Sequence, residues 1–205
     1  MQLKLRNIAK AKEVYVYIDM SDKEHSIIEI IDNGTGMNYD DLAEKYVWIG
    51  RNKRNDSELS DIDKHTIMGR KGIGKLAALY LSNQYCIITK KEDEFLENRW
   101  EVNLAAYKGW EFPKLDKLNK HVSLVNDAIW RQCQHGTVIK LENVDLRGNG
   151  AHKIEGLRRV FADFYLLDAL KSKIYVAVKT TTKSNVVFEP VEKKIAYKNF
   201  YALFD

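Results

Sequence analysis

The chain has 205 residues, 45% of them hydrophobic and 30% charged, which is too apolar for a disordered protein and fits one generous domain. Its net charge of +4 sets 33 basic against 29 acidic residues, a balance that permits a nucleic-acid partner without arguing for one. No apolar run is long enough to cross a bilayer, MQLKLRNIAKAK lacks a signal-peptide core, and Cys86 and Cys133 have neither metal nor disulfide spacing. The expectation is a cytoplasmic protein with reduced thiols and no membrane partner.

In chain order, VYVYID (14–19) alternates as a strand does and SIIEIID (26–32) reads as a second strand, predicting an antiparallel hairpin across SDKEH. YDDLAEKYVWIG (39–50) carries Leu42, Ala43, Tyr46 and Val47 at helical spacing, with Asn38 placed to cap it. The polar run 51–65 reads as a loop, and KLAALYLS (75–82) as a short apolar helix. YCIITKK and FLENRWEVNL predict two more strands. Between 105 and 134 the pattern is weak, and Tyr107, Trp110, Phe112 and Trp130 read as packing anchors. GTVIKLENV (136–144) is a strand, 154–170 a helix with one apolar face, and KIYVAVKT with VVFEPVE a second hairpin. This order predicts an α+β fold in which helices cover a mostly antiparallel sheet.

Two glycine-rich stretches carry chemistry. GRKGIGK (69–75) nearly spells a P-loop, but Leu76 stands where the magnesium-holding hydroxyl belongs, and no apolar strand precedes it. Its glycines can still aim backbone N–H groups at a phosphate ahead of the next helix. DNGTGM (32–37) closes an apolar strand, so the Asp32 carboxylate is buried and needs a donor. An adenine amine is one such donor. Gly34 and Gly36 would then permit close approach of a flat ring, and Met37 would pack on it. The bland reading of Asn33-Gly34 is a hairpin turn.

DNGTGM, GRKGIGK and HGTVIKL together resemble the motifs of the Bergerat-fold (GHKL) ATPases, in order and in approximate separation. That superfamily includes DNA gyrase, the large heat-shock chaperones, the histidine kinases and MutL. The region after residue 150 looks like MORC-like and stand-alone prokaryotic members. The resemblance implies a two-layer α/β sandwich with an ATP-binding domain over 1–150 and a helix-plus-hairpin extension of the same domain over 151–205. It implies ATP and Mg2+ as cofactors. Asp32, Gly34, Gly36 and Met37 would form the base pocket, with Thr137 joining Asp32 through water. Gly69, Lys71, Gly72, Gly74 and Lys75 would hold the phosphates, and 51–65 would be the lid.

The resemblance also implies a catalytic glutamate and a magnesium-holding asparagine on an N-terminal helix. Met1 and Leu5 fall at those positions, and Ile8 stands at the expected aspartate. A shortened chain and a degenerate member are the two accounts, the first favoured. Either way, the expectation is weak or no ATP hydrolysis. The five histidines show no metal spacing, and only His135 adjoins a motif. Functionally the family implies an ATPase module of a larger machine, with lid closure, homodimerisation and further protein or DNA partners in repair, chromatin or defence. The alternatives are a non-hydrolysing regulatory module or scaffold and, last, a histidine kinase catalytic domain.

Overall fold

The structure is a computed structural model that describes residues 11–22, 24–46, 76–94, 96–103, 115–119, 121–146, 156, 172–183 and 185–192. The N-terminal run, the lid, the GRKGIGK stretch and, but for Gly156, the late helix all lie outside these residues.

β1 (Glu13–Asp19) and β2 (Ile27–Asp32), both buried on two faces along most of their length, form the expected hairpin. They are followed by β3 (Gln84–Lys90), β4 (Glu97–Asn103), β5 (Leu115–Lys117), β6 (Gly136–Leu141), β7 (Lys173–Lys179) and β8 (Glu189–Pro190). All eight form one sheet in the order β5-β4-β3-β6-β2-β1-β7-β8. Every pairing is antiparallel except β1 with β7, so the expected α+β, mostly antiparallel fold is present. The second predicted hairpin is present but short: β8 pairs with β7 only through Tyr175↔Pro190 and Val176↔Glu189.

The registers decide what each face carries. Val16, Ile30, Ile139 and Ile87 stand in one row, and with Val14, Ile28, Leu141 and Val176 they make the front core. Each such side chain, fully buried, contributes roughly 1.5–3 kcal/mol. Two short helices pack on this face, α1 (Asp41–Tyr46) through Leu42 and Tyr46 and α2 (Leu76–Leu81) through Ala78 and Leu81. Asn38 caps α1 as expected, its side-chain oxygen accepting the Asp41 amide at 3.0 Å while the Asp41 carboxylate accepts the Asn38 amide at 3.3 Å. Beyond that cap, α1 winds with the wider π pitch.

The back face is covered over β2, β3 and β6 by a segment whose pattern did not announce it. α3 (Asp127–Gln132) and the turn before it lay Trp130 and Leu124 on Ile31, Ile88 and Val138. Trp130 is thus the packing anchor expected of it. The wholly buried Glu29 holds the turn: it accepts the amides of Val125 at 2.7 Å and Asn126 at 3.0 Å, and the Asn126 side chain at 2.8 Å. Opposite it, Lys140 donates to the Ser123 carbonyl at 2.7 Å. These bonds meet the cost of burying a carboxylate and an ammonium under a loop.

Candidate functional site

At one end of the front face the apolar rows give way to polar residues. Across that end the register runs Val14, Asp32, Thr137, Thr89, one residue per strand from β1 through β2 and β6 to β3. Asp32 and Thr137 are therefore direct neighbours, and Thr89 stands beside Thr137.

Asp32 is 5% exposed. Its Oδ1 accepts the Gly34 amide at 2.8 Å, closing a small turn of its own. Burial pushes its carboxyl up to about 7, against the pull of the Gly34 and Thr137 backbone amides and the nearby His135 ring. The donors are backbone amides and no ion pair neutralises this carboxylate among the described residues.

Asp32 is followed by a loop, 33–38, that is stitched on three sides. Toward β1, the Asn33 side-chain oxygen accepts the amides of Lys12 at 2.8 Å and Glu13 at 2.9 Å. Toward β3, the Met37 amide donates to Thr89 Oγ1 at 2.8 Å, the Glu92 amide to the Thr35 carbonyl at 2.8 Å, and the Asn38 side chain to Glu94 at 3.0 Å. Toward β6, His135 Nδ1 lies 2.5 Å from the Gly34 carbonyl oxygen. The loop runs into α1 rather than back along β2, so Asn33-Gly34 is not a hairpin turn.

Thr89 ties the stitches together. Fully buried, its hydroxyl accepts from Met37, donates to the Gly136 carbonyl at 3.0 Å, and lies 3.4 Å from the Thr137 hydroxyl. Sequence reasoning missed it. The signal was a hydroxyl on the strand face that Tyr85 and Ile87 otherwise fill with apolar groups. Asn33 was missed too, hidden behind the turn signal it shares with Gly34.

The two loop glycines differ. Gly36 sits at φ +63°, and a Cβ there would stand 1.8 Å from the Lys90 carbonyl oxygen. Gly36 therefore meets a demand of the protein's own backbone, apart from any ring it was expected to admit. Gly34 is buried, with both its amide and its carbonyl engaged. The Met37 side chain is partly buried against the front core. The structure thus brings Asp32, Gly34, Gly36, Met37 and Thr137 together, while Gly69, Lys71, Gly72, Gly74 and Lys75 lie outside the described residues. No cluster of metal-binding side chains occurs among the described residues. Among them, too, no helix is long and apolar enough to cross a membrane.

A buried carboxylate thus stands at a strand end, beneath a glycine loop and beside a threonine strand, on an α+β scaffold. The family model described as "Histidine kinase-, DNA gyrase B-, and HSP90-like ATPase" matches residues 7–137, more than half of the chain, and the chain belongs to that family. It contains a GHKL-type ATP-binding domain. It is also 41% identical over 75 residues to a protein described as "Putative type II restriction enzyme HgiDII", from Herpetosiphon aurantiacus. That match covers 37% of this chain and 11% of the relative, so the chain spans about a tenth of that protein's length.

Proposed function

We propose that the chain binds ATP with magnesium, through the adenine amine on Asp32, and that binding closes residues 51–65 as a lid and promotes pairing of two copies. The observation that carries this reading is the Asp32 carboxylate, buried on backbone donors beside Thr137 with the loop 33–38 fixed above it. A carboxylate held that way on backbone amides suits a neutral N–H donor such as an exocyclic amine. Gly34, Gly36 and Met37 line the base. Gly69, Lys71, Gly72, Gly74 and Lys75 supply the phosphate side, where magnesium adds charge neutralisation to the bound triphosphate. Residues 151–205 extend the same domain, a reading supported by the pairing of β7 with β1 along its whole length.

The chain serves as the nucleotide-dependent module of a larger assembly. Its partial likeness to a protein named as a restriction enzyme supports an assembly that handles DNA. Cys86 and Cys133, neither of them in a disulfide, support a cytoplasmic setting. Turnover is not part of the reading, because Leu5 and Ile8 occupy positions where the family resemblance calls for an asparagine and an aspartate.

Calorimetry with magnesium and ATP tests it. The wild type binds, and Asp32→Asn, which puts an amide in place of the acceptor, weakens binding by about ten- to a hundredfold. Equal affinity in the two proteins sinks the assignment of Asp32.

A further inference from the structure

The turn carrying His135 leads from α3 into β6 and reaches the 33–38 loop. His135 Nδ1 lies 2.5 Å from the Gly34 carbonyl oxygen. A carbonyl only accepts, so Nδ1 carries the proton and this bond sets the tautomer. The Gly34 amide donates in turn to Asp32 Oδ1 at 2.8 Å. One glycine is thus held at both ends, its carbonyl by the imidazole and its amide by the carboxylate.

The backbone under the imidazole is equally constrained. Gly136, the next residue, sits at φ +139°, and a Cβ there would stand 2.0 Å from the Asp32 carbonyl oxygen. His135 is therefore carried by a backbone seated directly on Asp32. His135 heads the HGTVIKL stretch, but the adenine-site resemblance implies a role there for Thr137 alone.

We propose that His135 is a positioning residue of the base site, clamping the Gly34 carbonyl so that the Gly34 amide stays on Asp32 and the carboxylate is aimed at the base. This rests on the reading of Asp32 as the adenine acceptor. The imidazole acts through Gly34 and through space, and does not itself touch the nucleotide. When charged, it also favours the ionised form of Asp32, the form that accepts an amine. Cys133, after α3, senses Asp32 together with Lys90 on β3 and Glu13 on β1. Lys90 is engaged elsewhere, its Nζ 3.3 Å from the Cys133 carbonyl and 4.1 Å from the Trp130 ring centroid. From this side it is the His135 ring that draws the Asp32 carboxyl downward, against the push of burial.

The test is magnesium-ATP calorimetry on the full chain from about pH 5.5 to 8.5, which brackets the Asp32 carboxyl at about 7. Wild type, His135→Ala, His135→Asn and Asp32→Asn are compared. Asparagine places an amide nitrogen near the position of Nδ1 but cannot carry charge. His135→Ala should weaken ATP by about tenfold at alkaline pH, and His135→Asn should recover most of that loss. In both, the midpoint at which affinity rises with pH should move upward, because the charge that favours the Asp32 carboxylate is gone. Alanine and asparagine variants with wild-type affinity and midpoint overturn the proposal. So does an equal loss in both variants with an unmoved midpoint, the result of mere loosening. If binding depends on Asp32 but ignores His135, only this inference falls. If the wild type binds no ATP, or Asp32→Asn binds as well as wild type, the base-site reading falls and this inference with it.

Discussion

Gly36→Ala asks whether the loop over Asp32 is held by packing or is free to adjust. Two costs add at this position. The φ of +63° is left-handed backbone, worth about 1–2 kcal/mol against an alanine. The new Cβ would also stand 1.8 Å from the Lys90 carbonyl oxygen and 3.0 Å from that of Gly136. Both are backbone atoms of paired strands, so neither can swing away, and relieving the overlap costs roughly 1–3 kcal/mol more. The sum, about 2–5 kcal/mol, is a large share of the stability of an ordinary domain. Gly156→Ala is the matched control, since nothing lies within 4 Å of a Cβ there and the residue is exposed and helical. It should raise stability by about 0.5–1 kcal/mol. Urea unfolding followed by tryptophan fluorescence reads both variants. A Gly36→Ala protein within about 0.5 kcal/mol of wild type would refute the argument, because surface substitutions without a named mechanism already scatter that far.

Thr89→Val keeps the shape but orphans the Met37 amide and the Gly136 carbonyl. It should cost about 2–4 kcal/mol and speed hydrogen exchange at the Met37 amide above its neighbours in β3. Glu29→Leu removes the acceptor for the Val125 and Asn126 amides, so α3 should loosen from the back face at a cost of about 2–4 kcal/mol, with Trp130 emission moving to the red. Without nucleotide, Asp32 makes stability depend on pH. Its folded value of about 7 lies above the ordinary 3.8, so the folded state binds the extra proton. The contribution is full below pH 3.8 and is lost as the pH rises through 7. Melting temperatures across that window should fall less in Asp32→Asn, and an unchanged slope would show that other groups govern it.

What could be read from sequence followed the strength of the local signal. β1 alternates β-branched and aromatic residues, β2, β3 and β6 are short runs rich in β-branched residues, and each stands close to where the pattern put it, β6 ending at Leu141. The Asn38 cap was legible for the same local reason. α3 was not, because only six residues long it shows one buried face through a single tryptophan. β5 has three residues and offers no period at all. The meeting of Asp32 with Thr137 was expected from family likeness alone. Spacing could not give it, since the contact depends on how two strands a hundred residues apart align. Thr89 and Asn33 escaped because their roles are bonds to distant backbone, which leave no mark on the sequence beside them.

The parallel partner of β1 has a consequence for how the chain is made. β1 lies between β2 and β7, and β7 begins at Lys173. At typical synthesis rates the wait between β1 and β7 is on the order of ten seconds or more. During that time Val14, Val16 and Ile18 belong to a strand whose outer edge has no neighbour to pair with. An unpaired apolar edge is a template for the wrong strand. The nascent domain therefore passes through a stage when a second ribosome's product could occupy the place of β7. A chain released before residue 173 keeps that edge for good.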